Sequence, residues 1–543
     1  MSRNTLFLIV LCLAILSTGK SFGAPAFDGP IRLRQPSGHS FEARQSGDEF
    51  HNWMETTEGY AIQFNKHSGC WEYLLPREGS AEGGLAPRIK HRPVVGEMEP
   101  LKWGIPKKLQ PPRKSIQGLQ AWNQSLDAGE KSLGKPARGA KSVLVIGIDF
   151  PDRPSTYSAS EISGLVFGPS GSVSDYFKRS SYSAVSISPA HESHGTGNDG
   201  FIGWLRMPSP HPDTGYDLDS RNQQLTRDAV EMADGYIDYS SYDADGNGIL
   251  EPGELSILII VAGFDHAFHP DSPSVYGHRS VMSTVGNPVL DGVILKDYAQ
   301  FGEIHRDHPA TIGIIAHELG HLLFDLPDLY DTNPGNGDSE GVGDFCIMGT
   351  GLWGADKGRH PGALPTYPCA WSKEFLAWGE VESVASSKAI AMPKVDANPK
   401  SIFRINTPDP DQYFLLENRE FSGFDAGFRH HAGNRSHGGV AIYHIDGRVV
   451  KNKYGPNLIN ADSRNKGVDV EEANEGALGH SLLDAGLSKA ATRMFFFKGN
   501  KTAFDPATLP STKLNGGKES GISLKNISAF GKRMTLSVLI ERE

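Results

Sequence analysis

Cysteine is scarce in this chain: four among 543 residues. That is too few for a disulfide-stapled framework to carry the fold. A basic excess is also missing, since 53 Lys and Arg against 64 Asp and Glu leave a formal charge of −11. No electrostatic footprint for a nucleic-acid partner is present. No apolar run approaches the 18 or so residues that cross a bilayer, and the mean hydropathy is −0.36. Nor is there a fixed-period repeat, which excludes a solenoid or propeller. What remains is a folded protein of two to four domains, with 62 Gly and 35 Pro promising many turns.

The first 23 residues read as a secretory leader. Arg3 supplies the positive start, Leu6 to Leu16 is a short apolar run, and Ser21-Phe22-Gly23 places small residues at the cleavage positions. Removal after about Gly23 leaves Cys70, Cys346 and Cys369, and the last two could pair in an oxidising compartment. Residues 24–140 follow as a polar, turn-rich region. Within it Glu49 to Phe64 reads as short strands around a Glu58-Gly59 turn, and the Pro- and Lys-rich stretch from Lys107 to Lys141 reads as an exposed connector.

Texture changes at Lys141. Val143 to Phe150 and Ser256 to Gly263 are β-branched apolar runs that predict buried strands. Val173 to Lys178, Arg221 to Ala233 and Thr311 to Leu323 predict helices, the last entered from Asp307 and Pro309. Alternation of this kind over residues 141–381 predicts an α/β domain. Residues 382–543 read as β-rich, with strands expected at Tyr413 to Glu417, Gly439 to Ile445, Met494 to Phe497 and Met534 to Leu539.

The chemistry concentrates in His317-Glu318-Leu319-Gly320-His321. Histidines four apart stack on one helix face and can aim at a single Zn²⁺, while Glu318 is placed to take a proton from water. Ile312, Ile314, Ile315, Leu319, Leu322 and Leu323 make this helix apolar nearly all round, so it is buried. Buried imidazoles and a carboxylate need a partner such as a metal. Carboxylates for a third ligand follow in the Phe324 to Asp331 stretch. Met348 then sits in a Gly-bounded turn, where it can floor a metal site. His305 and His308, just before the helix, read as surface or capping groups.

A second constellation lies upstream. Asp243, Asp245, Asn247, Gly248, Ile249, Glu251 and Glu254 occupy positions 1, 3, 5, 6, 7, 9 and 12 of an EF-hand-type loop. Ile249 would offer its carbonyl, and Glu254 both carboxylate oxygens. The loop is single and runs into a strand, so it predicts a structural Ca²⁺ clamp.

Taken together, HELGH followed by LPDLYD, the CIMGTG turn, KSVLVIGIDFPDRP, DYFKRSSYSAVSISP, YFLLENRE, GVAIYHID, VDVEEANEG and SGISLKNIS resemble the M6 family of secreted metalloproteases, the immune inhibitor A group. The resemblance implies an α/β metzincin-like catalytic domain with an N-terminal propeptide and a β-rich C-terminal region. It also implies a secreted zinc endopeptidase made as a zymogen, with protein or peptide substrates and Zn²⁺ and Ca²⁺ as cofactors. His317, His321 and an aspartate would hold zinc, with Glu318 as general base. The family places glycine three residues after the second histidine, where this chain has Phe324. The third ligand is therefore Asp328, in its LPDLYD context, or Asp325. The alternative reading is a non-catalytic calcium-stabilised adhesion protein on the same scaffold. That reading predicts loss of the general base, and Glu318 is present.

Overall fold

The computed structural model describes residues 22–48, 51–76, 93–111, 136–333, 336 and 339–541. Most of the predicted leader (1–21) and much of the predicted connector (112–135) lie outside the described residues. Among the described residues, a two-residue strand, β1 (Phe22–Gly23), comes first. Five strands then form an antiparallel meander: β2 (Ile31–Arg34), β3 (Ser40–Gly47), β4 (Asn52–Thr56), β5 (Ala61–Asn65) and β6 (Cys70–Tyr73). Its small core gathers Ile31, Leu33, Ala43, Tyr60, Ile62 and Tyr73. The turn expected at Glu58-Gly59 joins β4 to β5, with Gly59 at φ +88°.

A large sheet follows, built from β7 (Gly139–Asp149), β8 (Val185–Pro189), β9 (Phe201–Arg206), β11 (Leu255–Asp265), β12 (Ser274–Val275), β13 (His278–Val281), β16 (Asp297–His305) and β17 (His308–Pro309). Three short strands, β10 (Ile249–Leu250), β14 (Val289–Leu290) and β15 (Val293–Leu295), make a separate small sheet. Strands β8, β7, β11 and β16 run parallel, whereas β13 pairs antiparallel with β16 and β1 antiparallel with β13.

Both faces of the parallel strands are covered, which is why they read as unbroken apolar runs. Successive residues serve opposite layers. Val143, Val145, Leu258 and Ile260 face one core with helices α1 (Ala159–Phe167), α2 (Val173–Ser180) and α4 (Ile312–Phe324). Leu144, Ile146, Ile257 and Ile259 face the other, with Leu225, Ala229, Val230 and Ala233 of α3 (Ser220–Ala233).

After α5 (Ala370–Phe375), β18 (Val381–Ser383), β20 (Ile402–Asn406), β21 (Gln412–Arg419), β22 (Gly439–Asp446) and β23 (Val468–Val470) form a five-stranded sheet. Strands β19 (Lys388–Pro393), β24 (Ile522–Lys525) and β25 (Arg533–Ile540) form a three-stranded one. The boundary expected near Val381 does not divide the core: one apolar cluster runs from α4 through Phe345 to Phe414, Ile442 and Phe495.

Three expectations are corrected. Met494 to Phe497 is not a strand. Its phenylalanines are buried between layers, and only Phe496 bridges Val440. Helix α4 is entered from Thr311, because Pro309 belongs to β17. His305 and His308 are buried rather than surface groups.

Candidate metal and active site

Helix α4 is buried along its length, and His317, Glu318 and His321 are each 0–1% exposed. It lies close on its surroundings. A Cβ added to Gly320 would meet Met348 Sδ at 2.8 Å, so glycine here lets the methionine pack directly under the turn that carries His317 and His321.

The helix ends at Phe324 through Asp325, which takes the left-handed conformation (φ +53°, ψ +26°) usual for glycine. The Asp325 and Leu326 amides donate to the carbonyls of His321 and Gly320, closing the turn. The chain thereby reverses one residue later than the family glycine would reverse it. Asp325 is spent on the reversal, and Asp328 is carried back over the histidines.

Three atoms converge there. Oδ1 of Asp328 lies 3.3 Å from His317 Nε2 and 3.2 Å from His321 Nε2, and the two nitrogens are 3.1 Å apart. The rings meet at 89°. His317 Nδ1 donates to the Ile347 carbonyl at 2.8 Å and His321 Nδ1 to the Leu326 carbonyl at 2.6 Å. Both Nε2 atoms therefore present lone pairs to each other and to an Asp328 oxygen that receives no hydrogen bond. A tetrahedron around an ion with bonds of 2.0–2.1 Å has edges of about 3.3 Å. The donor set thus fits a four-coordinate cation with one position open, and Zn²⁺ suits two imidazoles and a carboxylate.

The other Asp328 oxygen accepts from Asn457 Nδ2 at 2.6 Å, and Asp328's own amide donates to Asn457 Oδ1 at 2.9 Å. Burial alone would raise the Asp328 carboxyl, yet His321 and His317 hold it below the usual carboxylate range. Burial lowers the His321 imidazole against the pull of Asp328. Glu318 goes the other way. Burial, then the Asp328 and Asp265 carboxylates, push it well above its ordinary value, against the weaker opposing pull of the Arg279 charge and backbone amide.

A peptide segment lies alongside. Gly23 pairs with His278 and Phe22 with Arg279 on the antiparallel edge of the sheet. Tyr330 Oη donates to the Gly23 carbonyl at 2.9 Å, Tyr276 Oη to Ala24 at 2.9 Å and Trp353 Nε1 to Pro25 at 3.0 Å. The Phe27 ring then stacks on Phe268 with centroids 4.6 Å apart. Asp28 closes the segment against Lys489 Nζ at 2.7 Å.

Residues 135–379 match the family described as the immune inhibitor A peptidase M6 catalytic domain. This segment is an M6 peptidase domain. No curated protein matches the chain. Among solved structures, wild-type OgpA from Akkermansia muciniphila is 14% identical and covers 53% of this chain and 74% of its own, with a TM-score of 0.24. A likeness that slight carries no argument about fold or activity.

Reading the sequence missed Arg279 and Asp265, whose charges act on Glu318, and it missed Asn457, which lies beyond the matched segment and 129 residues past its partner Asp328. Tyr330 is buried and also bonds a backbone carbonyl. The calcium-type loop is compact. Carboxylate oxygens of Asp243, Asp245 and Glu254 lie within 4.8 Å of one another. Asp243 accepts from the Gly246 and Gly248 amides, and Asn247 Nδ2 reaches Glu251 at 3.1 Å. Ile249 opens β10, which pairs with Ile294 of β15. Cys346 and Cys369 are free buried thiols sharing Ser372 Oγ, and Cys70 stands in β6 against the Ser68 carbonyl.

Proposed function

We propose that this M6 metallopeptidase is a secreted zinc endopeptidase made as a zymogen. The convergence of His317, His321 and Asp328 beside the buried Glu318 carboxylate carries the reading. His317 Nε2, His321 Nε2 and Asp328 Oδ1 would hold the ion, and Asn457 would fix the angle of Asp328. When bound, Zn²⁺ supplies Lewis acidity, lowering the pKa of water and polarising the scissile carbonyl. Glu318 takes the proton of the attacking water and delivers it to the leaving amine. Tyr330, already donating to a peptide carbonyl, is placed to hold the carbonyl of a substrate.

Latency follows from the segment beside the site. Ala24 to Asp28 survives removal of a leader ending at Gly23, and its carbonyls and Phe27 ring use contacts a substrate would need. Residues 24–140 are then the propeptide, 141–381 the catalytic domain and 382–543 the β-rich C-terminal region. The Asp243–Glu254 loop is a structural Ca²⁺ clamp that Asp243, Asp245, Asn247, the Ile249 carbonyl, Glu251 and Glu254 would form.

Digestion of casein by the processed chain tests the activity. Cleavage should be abolished by a chelator, restored by Zn²⁺, and reduced by 10²-fold or more in Glu318→Ala. A zinc-loaded, processed chain that leaves casein, gelatin and unfolded proteins intact at every pH would refute the proposal.

A further inference from the structure

The turn ahead of α4 carries a second set of metal-ligating side chains that the proposed catalytic centre does not use. Asp307, His308 and His360 each bring one donor atom within 4.8 Å of the other two. The His308 and His360 rings lie face to face, centroids 3.7 Å apart and planes 26° from parallel. His308 Nδ1 is 2.8 Å from the Pro309 carbonyl. A carbonyl only accepts, so Nδ1 carries the proton and Nε2 keeps its lone pair. The same arrangement orients His317 and His321, and it is the usual companion of a metal-bound imidazole. Behind the pair, His305 is fully buried with Nε2 unpartnered, and its Nδ1 is 3.4 Å from Thr311 Oγ1.

We propose that Asp307, His308 and His360 form a second zinc site, structural and open to solvent. Two imidazoles and one carboxylate suit Zn²⁺ rather than Ca²⁺ or Mg²⁺, which take all-oxygen shells. Asp307 and His360 are exposed, so the ion can enter without opening the fold, and water can fill the fourth position.

The placement says what the ion does. Thr311 Oγ1 donates to the Pro361 carbonyl at 3.0 Å, and the Gly313 amide donates to the Gly362 carbonyl at 2.9 Å. These bonds already tie the start of α4 to the loop around His360. An ion shared by His308 and His360 clips the same two strands of chain from outside. The roughly fifty residues it encloses contain His317, Glu318, His321, Asp328 and Met348, and a clip closing so long a loop restricts the unfolded chain strongly. The site therefore braces the segment that carries the proposed catalytic groups.

Zinc binding separates this site from the first. The full chain carrying His317→Ala and His321→Ala is stripped with a chelator, returned to saturating Ca²⁺, and titrated with Zn²⁺ by calorimetry and by thermal melting. One equivalent should bind and raise Tm. Adding His360→Ala should remove both the binding and the shift, while His360→Cys, which restores a zinc ligand, should recover them. In the otherwise unaltered chain, His360→Ala should lower the zinc content from two equivalents to one. If the His317→Ala/His321→Ala chain binds no zinc, or if His360→Ala leaves stoichiometry and Tm shift unchanged, the second site does not exist. An unaltered chain binding one equivalent that His360→Ala abolishes would support this site and remove the catalytic one.

Discussion

Asn457 grips Asp328 from both sides, its Nδ2 on one carboxylate oxygen at 2.6 Å and its Oδ1 on the Asp328 amide at 2.9 Å. A residue of the C-terminal region thus orients a proposed metal ligand, and its own carbonyl accepts from Thr332 Oγ1 further along the same loop. The β-rich region is therefore part of the site's construction.

Asn457→Ala frees the Asp328 carboxylate to rotate while leaving all three proposed ligands in place. Partners of this kind typically contribute 10- to 100-fold in metal affinity. Competition with a chromophoric chelator should show zinc affinity falling by that factor with the secondary structure intact. Unchanged affinity would mean that Asp328 is held by the backbone alone.

The spacing of His317 and His321 announced the helix and its chemistry because both depend on local period. The parallel strands β7 and β11 were legible for the same reason: burial on both faces leaves an unbroken apolar run. Sequence favoured Asp328 over Asp325 only through its LPDLYD context, because which residue adopts the left-handed turn leaves no local signal. Asn457 left no signal, since nothing local marks a contact across 129 residues. His305 misled through its polarity: stacking on Phe268 at 4.4 Å buries it. The docking of Ala24 to Asp28 was invisible too, because its hydrogen bonds come from Tyr276 and Trp353, far along the chain.

Gly320 and Met348 give a packing prediction. A methyl group at Gly320 meets Met348 Sδ at 2.8 Å in a core with no room to spare. Gly320→Ala gains helix propensity but should still destabilise by about 1–3 kcal/mol through overpacking. Met348→Ala in the same chain should recover part of that loss, which denaturant titration of both variants would measure. A stabilised Gly320→Ala would show that the methionine moves aside freely.

Calcium should act on stability rather than on chemistry. Asp243, Asp245 and Glu254 hold their carboxylates together against mutual repulsion, and a bound Ca²⁺ relieves it. At a hundredfold excess over Kd the ion should add about 2.7 kcal/mol. A calcium-selective chelator should therefore lower Tm, and Glu254→Gln should lose most of that response. Equal melting with and without calcium would make the loop a solvated acidic turn.

The last prediction concerns the far end of the docked segment. His431 Nδ1 lies 2.7 Å from Asp344 Oδ2, and its Nε2 lies 3.9 Å from Asp28, which also pairs with Lys489. Burial opposes charge on His431, but the Asp344 and Asp28 carboxylates outweigh it and raise its pKa to about 9. Burial would likewise raise Asp28, and Lys489 and His431 instead hold it well below the carboxylate range. The His431 contribution is complete below its unfolded value of about 6.5 and is lost as pH climbs through 9. The Asp28 contribution runs oppositely: it is complete above about pH 4 and fades as pH falls through the depressed value. The segment should accordingly be held most firmly between about pH 4 and 6.5, and loosen on the alkaline side. Melting of the full chain from pH 6 to 10 should show a decline that is shallower in His431→Gln, because that variant has no proton to lose. Parallel pH profiles would mean that the His431 proton is not coupled to folding.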